Sequence, residues 1–253
     1  MTKRILSLAL AVVMAATTFS FSAFAADKKE EISQKSDIKR IRKDELNESA
    51  YNKLENLCQR NDLIVEAIKN NNFNFEEIIK SKFSYDDLKV QAVNEVVAIR
   101  IEQINNTRVI FNNDGTFFID TIEEKENSKG NFKSISNANY KTASNKFEAR
   151  ATMGNLAWEA YIEAEFGYDG EKAWVNGEPY GYYKRGILSL WQVSDWNVGW
   201  TNYEGSLGAR AYARGNFHFG IEYDGNGLVI QDIPLDLRVS CNYKGKIFKN
   251  NGI

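Results

Sequence analysis

The chain has 253 residues, of which 43% are hydrophobic and 13% aromatic, and a formal net charge of −2. That length suits one large domain or two small ones, and near-neutral charge with no cluster of Lys and Arg removes the electrostatic basis for binding nucleic acid. No segment beyond the first 26 residues is apolar for the roughly 18 positions a membrane-spanning helix needs, and two cysteines are too few to staple a disulfide scaffold.

Met1-Thr2-Lys3-Arg4 precedes an apolar run from Ile5 to Ala16, and Ala23-Phe24-Ala25-Ala26 follows a short Thr- and Ser-containing stretch. A charged start, a short apolar run and an A-x-A site predict a secretory signal peptide over residues 1–25, cut after Ala25. Its removal leaves 228 residues and, with the loss of Lys3 and Arg4, a net charge of −4. The expected localisation is secreted, and the abundance of Asn and Lys beside two prolines reads as bacterial.

Residues 26–105 read as a helical region that could act as a pro-region. Leu46, Ala50, Leu54, Leu57 and Cys58 recur at helical spacing. Asp62 is placed to cap a short helix carrying Leu63, Ile64, Ala67 and Ile68, and Asn74 to cap the next, with Glu76 and Glu77 in its first turn. Ser84-Tyr85-Asp86-Asp87 has the form of a capping box with Asp in the Glu position. Leu88, Ala92, Val93, Val96, Val97, Arg100 and Ile101 then follow a 3.6 period, although Val96 to Ile104 is β-branched enough for a strand.

Residues 106–122 carry two apolar runs around Asn112-Asn113-Asp114-Gly115, the pattern of a β-hairpin. Residues 123–146 are polar and read as a linker or long loop. From 147 to 253 the period becomes two. Leu156, Trp158, Ala160, Ile162, Ala164 and Phe166 alternate with Glu159, Tyr161, Glu163 and Glu165. Further strands are expected over 187–193 and 196–203, split at Ser194-Asp195, then over Leu207–Glu222 and Ile233–Cys241 around an Asp224-Gly225-Asn226-Gly227 turn. The fold class expected is α+β: an N-terminal helical segment followed by an antiparallel β-sandwich or open barrel.

Candidate chemistry is sparse. A Ser-His-Asp or Cys-His site would have to use His218, the single histidine. Between Phe217 and Phe219 it reads as a surface strand residue. One His and two widely separated Cys make a poor zinc set, no phosphate-loop or metalloprotease motif is present, and the Asp-Gly turns lack the spacing of a calcium loop. No catalytic residue, metal or cofactor is therefore assigned. Glu159, Glu163 and Glu165 share one strand face at roughly 7 Å per two residues. That spacing keeps a glycosidase as a minor enzyme alternative, since such enzymes hold two carboxylates about 5–9.5 Å apart.

All five tryptophans lie between 158 and 200. Trp158 reads as core. Trp174, Tyr180, Tyr182 and Tyr183 are placed near turns, and Trp196 and Trp200 share one side of a strand. These six rings are the expected ligand-binding residues, although core packing is the favoured role of Trp196 and Trp200. Cys58 and Cys241 both fall on apolar faces, where they would either pair as a disulfide or stand as small buried hydrophobes. The function expected is a secreted, non-catalytic binding protein for an extracellular glycan or protein. The alternative is an antibacterial or toxin-like protein released from a precursor by cleavage within 123–146.

Overall fold

Most of the chain in the computed structural model lies in antiparallel strands and little of it in helix, across the residues described: 48–90, 96–126, 138–187, 190–202, 207–223 and 226–249. The expected signal peptide over 1–25 lies outside them. Two units are present. One comprises residues up to Phe118 together with Ala149–Asn155, the other Ile119–Glu148 together with Leu156–Ile253. Among the described residues no helix is long and apolar enough to cross a membrane.

The first unit opens with helix α1, Glu48–Lys69. It runs straight through Asp62, where the sequence suggested a new start. Asp62 does not cap there but accepts a hydrogen bond from Arg100 at 2.7 Å. Helix α1 buries Leu57, Ile64, Val65, Ala67 and Ile68. Helix α2, Phe75–Lys80, buries Phe75 and Ile79, with Glu76 and Glu77 in its first turn as expected. Asn74 is the N-cap residue, but its side chain bonds Glu77 rather than a backbone amide. Helix α3, Tyr85–Leu88, has the capping box read from the sequence: Ser84 Oγ accepts from the Asp87 amide, and Asp87 accepts from the Ser84 amide.

The helical period expected to continue through Ile101 does not do so. Lys89 leaves the helix in an extended conformation. Strand β1, Ala98–Ile104, then pairs antiparallel with β2, Thr107–Asn112. Three isoleucines in seven residues favour the pleated form, and Asn105, at φ +52°, makes the tight turn between the strands. The next turn is the expected one at Asp114-Gly115. Gly115 has φ +86°, and Asp114 Oδ1 accepts from the Thr116 amide at 2.9 Å. Strand β3, Phe117–Glu126, follows.

Phe75, Phe111 and Phe117 form the aromatic centre of this unit, with ring centroids 5.9 and 6.0 Å apart. Beside them Arg60 is fully buried. Its guanidinium donates to the carbonyls of Gly115 at 2.6 Å and Thr152 at 3.0 Å and to Asn61. Burial pushes its pKa down to about 10, and Asp114 opposes that shift. The turn over 151–155 is held against α2 because Gly154 has no Cβ; one there would meet the backbone of Phe75 and Glu76 at 2.8 Å.

The remaining strands are β4 (Asn139–Arg150), β5 (Leu156–Tyr168), β6 (Ala173–Val175), β7 (Tyr180–Arg185), β8 (Trp191–Asn202), β9 (Gly208–Tyr223), β10 (Asn226–Asn242) and β11 (Ile247–Phe248). They complete two sheets, neither closed. Sheet A has the order β1-β2-β3-β4-β5-β6, with β7 also paired to β5, and sheet B the order β11-β10-β9-β8. The polar segment 123–146 is strand at both ends rather than loop, because Ala143, Asn145 and Phe147 bury one side of β4. Residues 127–137 lie outside the described residues.

The two strands expected either side of Ser194-Asp195 are one strand, β8. Its register against β9 jumps between the pairs Ser194–Asn216 and Asn197–Arg214. Asp195 and Trp196 thus oppose Gly215 alone, and Asp195 takes φ +55°. A bulge takes the place of the break that the sequence suggested between two strands.

In the second unit the apolar row of β5 meets that of sheet B. Trp158, fully buried, stacks on Phe217 with centroids 3.9 Å apart and on Phe147 at 5.6 Å. Ala209, Ala211, Ala213, Leu235, Leu237 and Val239 complete the buried face of sheet B.

Arg60 gives this architecture a direct test in the first unit. Arg60→Met keeps the side-chain volume but leaves the Gly115 and Thr152 carbonyls without their charged donor, which is expected to cost about 2–4 kcal/mol. Urea unfolding followed by circular dichroism measures it; a change within about 0.5 kcal/mol would contradict the role assigned to Arg60.

Candidate functional site

The six aromatic residues singled out from sequence divide between two faces, and strand parity decides which. Tyr180, Tyr182 and Tyr183 do not lie at a turn but on β7, paired residue by residue with β5 from Glu163↔Tyr180 to Trp158↔Arg185. Alternation sends Tyr180 and Tyr182 to the face that β5 lines with Glu159, Tyr161 and Glu163. Tyr183 goes to the other side, where its ring meets Trp196 at 5.1 Å and Phe217 at 6.4 Å. Gly181 sits between them because a Cβ there would stand 2.8 Å from Val198 Cγ2 and 3.1 Å from the Tyr161 carbonyl oxygen.

Trp196 also points inward, with its ring 6.4 Å from Phe217. Trp200 follows the same parity farther along β8 but is 43% exposed. Trp174 shares the outer face of sheet A. It lies opposite Gly167 in register, and its ring occupies the space a Cβ on Gly167 would need, so the two residues fit only as a pair. Tyr140 packs edge-on against Trp174 at 6.3 Å.

Three tyrosines therefore come together on the outer face of sheet A, and one of them, Tyr161, was not among the expected binding residues. Tyr161 and Tyr182 stack at 5.1 Å and 25°, with Tyr180 at 5.9 Å from Tyr182 and 6.4 Å from Tyr161. Each inner phenol is anchored. Tyr161 donates to Glu163 Oε2 at 2.7 Å and Tyr182 to Glu159 Oε1 at 2.9 Å. Lys184 stands 3.6 Å from the other oxygen of Glu159. Glu165, the third carboxylate of the row, accepts from Asn176. Tyr180 is 61% exposed and forms the open edge of the cluster.

No family model, no curated protein and no solved structure matches the chain.

The electrostatics follow from the anchoring. Burial and then the Glu163 carboxylate push the Tyr161 phenol up to about 12, with Ser144 acting the other way. Burial and then Glu159 carry Tyr182 further above the ordinary phenol range. Both phenols stay protonated, as donors, across the physiological range. Of the three carboxylates in the row, Glu159 and Glu163 accept from tyrosine and Glu165 from Asn176. Cys58 and Cys241 are free thiols rather than a disulfide. Burial and Asp62 raise the Cys58 thiol, and burial pushes Cys241 up to about 11, so both are protonated and inert at neutral pH. His218 lies on the outer face of sheet B, between Gln192 of β8 and Asp232 of β10 in cross-strand register.

A phenol held neutral by an adjacent carboxylate must ionise earlier once that charge is removed. Glu163→Gln is expected to lower the Tyr161 midpoint, and Glu159→Gln that of Tyr182, in an alkaline titration of phenolate absorbance. The sign for stability follows: the unfolded chain ionises near the ordinary value while the folded chain resists, so the Tyr161 contribution is complete below about 10 and lost as pH rises to about 12. Unchanged late-titrating tyrosines in both variants would contradict the anchoring.

Proposed function

We propose that this chain is a secreted bacterial binding protein whose second unit is a two-sheet β-sandwich, and that the outer face of sheet A is its binding surface for a glycan. The observation that carries the reading is the cluster of Tyr161, Tyr180 and Tyr182, with two rings stacked and two phenols anchored to Glu163 and Glu159. Anchored rings lose little freedom when a ligand lands on them, which lowers the ordering cost of binding. Tyrosine offers an apolar face to the C–H side of a sugar ring and a polar edge to its hydroxyls. Half-buried Glu163 and exposed Lys184 offer an acceptor and a donor beside the rings, while buried Glu159 holds Tyr182 in place. The sandwich reading rests on two separately hydrogen-bonded sheets joined through the Trp158–Phe217 stack. Secretion rests on the residue pattern of 1–25.

Release of a toxin-like β part by a cut within 123–146 finds less support. Strand β3 runs into that segment, and residues 119–126 belong to the same unit as the strands that follow it. One cut there would leave a piece of the β unit on the wrong fragment.

Binding is tested by isothermal titration against a panel of bacterial cell-wall oligosaccharides. Binding to at least one member is expected, with Tyr180→Ala and Tyr182→Ala each weakening it about tenfold, some 1.4 kcal/mol. Absence of heat with the whole panel, or affinities unmoved by both substitutions, would overturn the glycan reading.

A further inference from the structure

We propose that Ser194, His218 and Asp232 form a hydrolytic site for short-chain carboxylic esters on the outer face of sheet B. The site goes beyond the glycan-binding reading and does not rest on it, since no residue is shared between the two.

Three neighbouring strands each contribute one residue. Ser194 lies on β8, His218 on β9 and Asp232 on β10, where Asp232 is directly opposite His218 in register. Ser194 Oγ is 2.7 Å from His218 Nε2, and His218 Nδ1 is 3.1 Å from Asp232 Oδ1. Each ring nitrogen therefore has the partner that nucleophilic catalysis requires. When Nδ1–H donates to Asp232, the Nε2 lone pair faces the serine hydroxyl and can take its proton. The hydroxyl has a second acceptor, Asp195 Oδ2 at 3.1 Å, but that oxygen also accepts from Asn216 Nδ2 at 3.2 Å, and the contact to the imidazole is the shorter.

The local backbone is unusual in the same place. The bulge that begins after Ser194 takes Asp195 and Trp196 out of one-to-one pairing with β9, and Asp195 adopts φ +55°. Gly215 accommodates it: a Cβ there would come within 2.9 Å of the Trp196 ring and 3.4 Å of the Ser194 carbonyl oxygen. Bulges re-aim side chains and concentrate beside active sites.

Accessibility sets the substrate class. The His218 side chain is 26% exposed and that of Asp232 56%. Cross-strand neighbours are Gln192, Asn216 and Pro234. This polar, open surface suits a small acyl group on a polar alcohol rather than a long acyl chain, which would need an apolar channel.

The reaction uses water as its only co-reactant. Ser194 Oγ attacks the ester carbonyl carbon while its proton passes to His218 Nε2. The bond from that carbon to the alcohol oxygen breaks, and Nε2 returns the proton to the departing alcohol. A water molecule then attacks the acyl-serine carbon, giving one proton to Nε2. The bond to Ser194 Oγ breaks, the carboxylic acid leaves, and Oγ recovers the proton. Asp232 acts through His218 as a positioning residue and touches no substrate atom.

The test needs no knowledge of the natural ester. The full processed chain is incubated with a fluorophosphonate probe and the adduct located by peptide mass spectrometry; hydrolysis of p-nitrophenyl acetate is followed in parallel. Labelling is expected at Ser194. Ser194→Ala should abolish enzymatic turnover, and His218→Gln should lower kcat by about 100-fold or more. Asp232→Asn should lower kcat about tenfold with KM unchanged, with partial rescue by Asp232→Glu. Absence of any serine adduct in the unmodified protein, which requires no variant to fold, would overturn the proposal. So would hydrolysis by Ser194→Ala at the wild-type rate.

Discussion

The second unit depends on one packing event, the burial of Trp158 of β5 between Phe147 of β4 and Phe217 of β9. Trp and Phe bring the largest apolar areas available to a core, and ring stacking adds to the area term. Because Trp158 faces sheet B, parity along β5 is set for every other residue. Ala160, Ile162, Ala164 and Phe166 must also face inward and are buried. Glu159, Tyr161, Glu163 and Glu165 must face outward. A slip of one residue would bury a row of carboxylates, so register and core composition enforce each other. The opposing strand answers the bulk of the tryptophan with Ala209, Ala211 and Ala213, all fully buried.

Both surfaces that carry proposed chemistry inherit their geometry from this parity. On sheet A it sends Tyr180 and Tyr182 to the side of Tyr161 and removes Tyr183 to the side of Phe217. On sheet B, Phe217 faces the core, so its neighbours Asn216 and His218 face away, and β10 sets Asp232 beside His218. The bulge at Asp195 belongs to the same scheme: it takes up one extra residue in β8 and restores inward parity for Trp196, Val198 and Trp200. In the first unit buried Arg60 performs the comparable service, tying α1 to the carbonyls of two turns.

Much of this was legible in the sequence where one physical signal dominated. Alternation from Leu156 to Phe166 gave β5 and its faces, and Asp114-Gly115 gave its hairpin. Legibility failed where local signals competed. Val97, Arg100 and Ile101 continue a helical period, yet Ala98–Ile104 forms β1, since β-branched residues satisfy both patterns. The linker reading of 123–146 counted polar residues and overlooked that Ala143 and Asn145 share one buried side of β4 with Phe147. Tyr180-Gly181-Tyr182-Tyr183 has no apolar alternation because glycine takes the inward place beneath Val198. The Ser194–His218–Asp232 row has no spacing motif, as its members come from three strands. It could have been approached by counting outward from the pairing of Tyr223 with Asn226, since one bulged residue then brings His218 opposite Asp232. Ser194 could not have been reached that way, because the bulge that follows it was read as a break between two strands.

The stack of Trp158 on Phe217 is tested most directly by a double-mutant cycle, with Trp158→Ala, Phe217→Ala and the pair compared by urea unfolding of the full chain. Each single substitution is predicted to cost about 3–5 kcal/mol, and the pair to fall short of the sum by roughly 0.5–1.5 kcal/mol or more, the signature of direct contact. Single losses below about 1 kcal/mol, or losses that simply add, would contradict the view that these two rings join the sheets.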